Sequence, residues 1–192
     1  MCYYIKIDYD KIKIENNFGA VFSEKDFSWP EGKINGFSGP PTPAILNINP
    51  KIIIPARWGI SPLWANGKKF LNCRIETAGI TQPFKNYTEN RCIIPVSGFY
   101  EWKHIKINGK VKKEPYYISA PGGNLMAFAG IYDNSETPTY TLMTTEANDM
   151  MAAIHDRMPV VLSKDEEKLW LAGEPMSNYY DRKGIELQEL AL

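Results

Sequence analysis

The stretch RCIIPVSGFYEWKHIKINGKVKKEPYYIS, residues 91–119, decides the fold. Its first ten residues are rich in Ile, Val, Phe and Tyr and read as one strand over 91–100. Further on, Asn108-Gly109 separates two β-like runs, 102–107 and 111–117. An Asn-Gly pair tolerates positive φ at both residues, as a tight hairpin turn demands, so an antiparallel ribbon is expected there. The same pattern recurs on either side. Residues 2–7, 44–48, 51–58, 115–119, 124–131 and 139–144 are short runs bounded by Pro, Gly and Asn. Asn47-Ile48-Asn49-Pro50 marks a turn between two of them. Helices are fewer. Ser163-Lys164-Asp165-Glu166 is a capping box that opens a helix over 164–171, ending at Gly173. A second short helix is expected within 146–154, and a weaker one within 9–22. The expected fold class is α+β: a single domain over 1–192, with a mainly antiparallel, curled, barrel-like sheet and a few short helices.

A chain of 192 residues suits one core. It shows no linker, repeat or low-complexity run. No apolar stretch approaches the roughly 20 residues of a membrane helix, and the opening MCYYIKIDYD lacks the pattern of a secretory signal. Three cysteines, Cys2, Cys73 and Cys92, point to free thiols in a reducing cytoplasm. No Cys/His group has zinc-ligand spacing, so neither metal nor cofactor is expected. Net charge is zero, yet it is unevenly placed. Residues 51–113 carry 12 Lys/Arg against three acids, whereas 114–192 carry five against 13. A basic middle suits a polyanionic partner; pairing between basic and acidic segments across the surface is the alternative. Trp58, Trp64, Phe70 and Phe84, with Lys85 beside the last, interleave aromatics with that charge. This suits base stacking on a single strand, or core packing.

Four places can carry chemistry. Removal of Met1 would leave Cys2 with a free α-amine beside its thiol. The amine attacks an aldehyde to give an imine, and the thiol closes on the imine carbon to form a five-membered thiazolidine. Otherwise Cys2 is a small hydrophobe leading a strand. In Asn72-Cys73-Arg74-Ile75-Glu76, an extended backbone sets Asn72, Arg74 and Glu76 on one face, able to hold a phosphate and orient an amine, or forming a surface ion pair. Glu101 sits among aromatics in Gly98-Phe99-Tyr100-Glu101-Trp102, where desolvation favours the neutral acid and suits proton transfer, unless its head reaches water. His155, in His155-Asp156-Arg157-Met158-Pro159, follows an apolar helical run and is either a proton shuttle or a structural histidine.

Taken with Met1-Cys2 and Trp58-Gly59…Pro62…Trp64, these motifs resemble, in order and spacing, the SRAP (SOS-response-associated peptidase) family along nearly the whole chain. The resemblance implies a curled α+β domain with a basic cleft that binds abasic sites in single-stranded DNA. It also implies a stable thiazolidine crosslink through the N-terminal cysteine, which shields the lesion. Carried over by position, Cys2 is the nucleophile, Asn72 orients its amine, and Glu101 and His155 move protons. Arg74 binds phosphate, and Trp64, Thr144 and Arg157 contact DNA. The implied partner is single-stranded DNA with abasic sites, with no membrane and no obligate protein partner. The implied location is cytoplasmic, and nucleoid-associated when DNA-bound. Lyase and autopeptidase activity accompany that expectation. A thiol peptidase using Cys2, His155 and Asn72, and a non-covalent single-strand binder, are the competing readings. The chain departs from the family pattern at Tyr3 and Tyr4, where Gly-Arg is usual, and at Cys73, Ala65 and Gln82.

Overall fold

The computed structural model describes residues 2–8, 10–24, 28–107, 109–134 and 137–192. In chain order these form β1 (Tyr4–Ile7), α1 (Lys11–Phe18), β2 (Val21–Phe22), β3 (Gly32–Asn35), β4 (Pro41–Leu46), β5 (Ile52–Trp58), β6 (Asn72–Arg74) and β7 (Arg91–Val96). There follow β8 (Gly98–Ile107), β9 (Lys110–Ser119), β10 (Met126–Asp133), β11 (Thr139–Glu146), α2 (Asp149–Ala152), β12 (Arg157–Pro159), β13 (Val161–Leu162), α3 (Lys164–Leu171) and β14 (Gln188–Ala191).

The strands form two sheets. The first runs β14-β9-β8-β1-β3 and is antiparallel throughout. The second runs β12-β11-β10-β7-β4-β5-β2, with β6 parallel to β11 and β13 beside β10. It curls until Thr139 and Tyr140 of β11 meet Arg57 and Trp58 of β5. That seam is only two register pairs long, so the sheet is curled and not a closed barrel.

The hairpin expected at Asn108-Gly109 forms between β8 and β9, with Ile107 opposite Lys110 and Gly109 at φ 76°. Asn108 itself lies outside the described residues. The single strand expected over 91–100 is instead broken at Ser97. β7 pairs with β4 and β10 in one sheet, while β8 pairs with β1 and β9 in the other. The crossing is pinned. The Ser97 N–H donates to the Lys6 carbonyl at 2.8 Å, and the Tyr117 hydroxyl donates to the Ser97 carbonyl at 3.0 Å. A Cβ on Gly98 would fall 2.4 Å from the end of the Tyr117 ring, so any other residue there requires that ring to move.

Two clusters make the core. Between the sheets, Ile5, Phe99 and Ile118 pack with Ile94, Val96, Phe128 and Leu142. On the far face of the second sheet, Ile93, Ala129, Ile131 and Met143 pack with Ile14, Trp170 and Tyr179. A sheet covered on both faces explains why β7 is buried at every position and reads as a continuous apolar run. The capping box at Ser163 is formed, and Glu166 reaches on to hold Arg182 at 2.8–2.9 Å. The helix expected over 146–154 is shorter. Glu146 ends β11, and the Asn148 side chain caps α2 by accepting from the Met151 N–H at 3.0 Å. The helix sought within 9–22 is α1, capped by Asp10.

Candidate active site

Cys2 enters just ahead of β1. Because β1 is antiparallel to β8 with Tyr4 opposite Tyr100, the residues before Tyr4 run on alongside Glu101. Alternation sends Tyr100 and Trp102 to one side of β8 and buries Phe99 and Glu101 on the other. Glu101 is 4% exposed and accepts from the Trp102 N–H at Oε2, 3.3 Å away. Cys2 is 1% exposed. Burial pushes its thiol well above the ordinary cysteine range, and the nearby Glu101 charge raises it further. The thiol is therefore protonated at neutral pH.

Asn72 approaches Cys2 from the second sheet. Its Nδ2 donates to the Cys2 carbonyl at 2.8 Å, across 70 positions of sequence. The Oδ1 of the same carboxamide is buried and has no hydrogen-bond partner among the described residues. The alternation expected from Asn72 to Glu76 holds only as far as the strand does. Cys73 is buried and Arg74 exposed, but the backbone turns into a short 3-10 helix at Ile75, so Glu76 leaves the face expected for it beside Asn72 and Arg74.

Two residues expected at the DNA are largely buried, although Arg157 also lines the cleft that Arg74 opens onto. Thr144 is fully buried, its hydroxyl donating to the Cys73 carbonyl at 3.2 Å. Arg157 is 8% exposed. It grips Glu76 with two hydrogen bonds, at 2.9 and 2.8 Å, and reaches the Thr144 carbonyl at 2.7 Å. Thr144 stands beside Arg74 in the β6–β11 register. Together these contacts brace the strand that carries Asn72 and Arg74. Arg74 itself opens onto a cleft of about 540 Å³, shared with Glu146, Asp156 and Arg157.

His155 follows Ile154, which packs in the same core cluster as Cys2. Its Nδ1 lies 3.0 Å from the Arg157 N–H and 2.7 Å from Asp156 Oδ1. Nδ1 cannot accept from the amide and donate to the carboxylate at once. The neutral ring with its proton on Nε2 takes the first contact; the imidazolium takes the second. Asp156 thus faces its neighbour, a contact that adjacency alone does not suggest.

The model of the SOS response associated peptidase (SRAP) family matches residues 1–187. The chain belongs to the SRAP family. Among curated relatives, Abasic site processing protein YoqW of Bacillus subtilis is 43% identical over 126 residues, covering 60% of this chain and 55% of the relative. Abasic site processing protein HMCES of Xenopus tropicalis is 30% identical over 155 residues, covering 63% and 45%. The chain spans about half the length of these relatives. A crystal structure of a Bacteroides thetaiotaomicron protein shares the fold, with a TM-score of 0.82 and 23% identity over 100% of this chain and 92% of that one. No helix among the described residues is long and apolar enough to cross a membrane.

The remaining DNA-side expectations separate by exposure in this SRAP chain. Trp64 is 59% exposed on a 3-10 turn, beside the fully exposed Leu63. Phe84 is buried and stacks edge-on against Phe70, which in turn meets Trp64 at 6.0 Å. Phe84 is thus the footing of an aromatic ladder, and Trp64 its exposed end. Lys85 is exposed. Lys33 places its ammonium 4.8 Å over the Tyr4 ring.

The Glu76–Arg157 pair yields a stability prediction. Burial pushes the Glu76 carboxyl up, but the Arg157 hydrogen bonds and charge, with the Thr145 hydroxyl, outweigh it and hold the group below its ordinary value of 4.5. A depressed carboxyl contributes stability that is present above the unfolded value and lost as pH falls through the folded one. Arg157→Ala should cost roughly 2–3 kcal/mol at neutral pH, read from urea midpoints. Its deficit relative to the parent should shrink as pH falls below 4.5. A deficit that stays constant with pH would exclude the pair as its source.

Proposed function

We propose that this SRAP chain captures abasic sites in single-stranded DNA as a covalent adduct on Cys2, once Met1 is removed, shielding the lesion. The observation that carries this reading is the convergence of Asn72 and Glu101 on Cys2: a carboxamide 2.8 Å from its carbonyl and a buried carboxylate whose charge acts on its thiol. An abasic sugar in its open form presents an aldehyde. The neutral Cys2 α-amine attacks it, water leaves, and an imine forms. The thiol then adds across C=N: sulfur bonds to carbon, and the thiol proton passes to nitrogen. Asn72 holds the Cys2 backbone, and its Oδ1 is an acceptor available to the amine. Glu101 and His155 are the groups for moving protons during ring opening and dehydration.

The protonated thiol favours this order of events over the thiol-peptidase reading. A peptidase cysteine works as a thiolate, with its pKa lowered by its surroundings. Here burial and Glu101 act in the opposite sense. An amine needs no thiolate to begin, and the thiol joins only after the imine exists.

Incubation with matched intact and abasic single strands, resolved on a denaturing gel, tests the proposal. A complex that survives denaturation should appear with the abasic strand alone. Complexes of equal amount with both strands, or with neither, would refute it. Arg74 and the basic middle supply phosphate contacts in this reading. Affinity for the intact strand should therefore fall steeply with salt, and Arg74→Ala should lower the slope of log affinity on log salt by roughly 0.7. A slope unchanged by the substitution would remove Arg74 from the binding face.

A further inference from the structure

The outer face of the first sheet is built unlike a solvated sheet face. Ile5, Phe99 and Ile118 point inward and are fully buried. Their neighbours Tyr4, Tyr100, Trp102 and Tyr117 point outward and are half-buried. The strand register aligns them, with Tyr4 opposite Tyr100 and Tyr100 opposite Tyr117. The rings meet: Tyr4 and Trp102 at 5.1 Å, Tyr100 and Tyr117 at 5.2 Å. Lys33, from the edge strand β3, lies over three of them, 4.4 Å from Tyr100, 4.8 Å from Tyr4 and 5.1 Å from Trp102. Lys6 lies over Tyr117 at 5.3 Å. Beyond Trp102 the same alternation brings His104 and Lys106 of β8 and Lys113 of β9 to this side, all exposed. Acids gather at the Lys6 end of the face: Asp8 pairs with Lys6 at 2.9 Å, and Asp10 and Glu31 line the same hollow as Lys6 and Tyr117, so the basic character belongs to the Lys33, His104, Lys106 and Lys113 side.

We propose that this face is a stacking platform for single-stranded DNA, seating bases of the strand that flank the captured lesion. Aromatic faces accept any base, because every base has a π-face, and the lysines match the phosphates between them. Lys33 is the exchangeable part. In the free protein its ammonium occupies the faces of Tyr4, Tyr100 and Trp102, an attraction of cation to ring. A phosphate offers it a full negative charge, and on moving there it uncovers Tyr100 and Trp102 for bases. Glu101 lies between Tyr100 and Trp102 on the opposite face of β8, so one strand serves the platform outward and the candidate site inward. The identity of the strand as DNA rests on the proposed function; the platform itself rests on rings and charges.

The test uses the full chain and an intact thymidine strand of about 20 nucleotides, longer than the roughly 4–16 that one single-strand-binding unit covers. Tyr100→Ala should weaken binding about tenfold or more, Tyr100→Phe should restore it, and Lys33→Glu should weaken it comparably. Covalent capture of a short abasic strand should be unchanged in all three, so loss of capture in the parent protein reports on the proposed function and not on the platform. The unsubstituted protein gives a second measurement that needs no variant. Photo-crosslinking to an iodouracil-substituted strand should place adducts within residues 100–102. Parent-like affinity in Tyr100→Ala and Lys33→Glu, or photo-adducts confined to other segments, would overturn the proposal.

Discussion

Blocking the Cys2 nitrogen is expected to eliminate stable capture of an abasic strand and to leave binding of the intact strand in place. A nitrogen held in a peptide bond or acyl group has no lone pair for the aldehyde, so no ring can close on it. Protein with a confirmed blocked terminus is the sample to use, and the survival of intact-strand affinity shows that the fold and binding face remain. Cys2→Ala and Cys2→Ser sharpen the result. Both retain an α-amine and should form an imine, but neither has a thiol to close it. Their complexes should dissociate on dilution and persist only when borohydride reduces the imine. Efficient, denaturation-resistant capture by a blocked or thiol-free protein would place the reacting group elsewhere.

The second large effect belongs to the proton-transfer residues. Opening the sugar and expelling water from the carbinolamine both move protons, and a positioned acid or base is worth about 10²–10⁴-fold. Glu101→Gln keeps the size and shape of a side chain buried beside Cys2 and removes its ability to exchange a proton. His155→Ala removes a ring whose contacts with the Arg157 amide and Asp156 offer it two protonation states. Each should slow single-turnover capture by about that factor, with intact-strand affinity nearly unchanged. A fall in both together would report a folding defect. Parent-like rates in both variants would withdraw these two residues from the chemistry while leaving Cys2 untouched.

Much of the fold was legible because its signals are local. The Asn-Gly hairpin, the capping box at Ser163 and the strand runs each declare themselves within a few residues. The break at Ser97 did not, because the contacts that hold it come from Lys6, 91 positions away, and from Tyr117, 20 positions away. The candidate site divides in the same way. The alternation of Asn72, Cys73 and Arg74 follows from extended backbone alone. The inward turn of Arg157 follows from Glu76, 81 positions distant, and that of Thr144 from the Cys73 carbonyl, 71 positions distant. Phe84 reads as a stacking residue by its basic neighbours, but the second core claims it. The aromatic face under Lys33 was hidden because its rings come from three strands whose pairing no local pattern specifies.

The central claim is that Cys2 is the atom source of a thiazolidine, and intact mass after incubation with an abasic oligonucleotide tests it most directly. Imine formation expels one water, and thiol addition expels nothing. The adduct should therefore weigh the Met1-free protein plus the oligonucleotide less one water, and digestion should map it to the N-terminal peptide. No adduct, or an adduct mapped to a lysine elsewhere in the chain, would contradict the account.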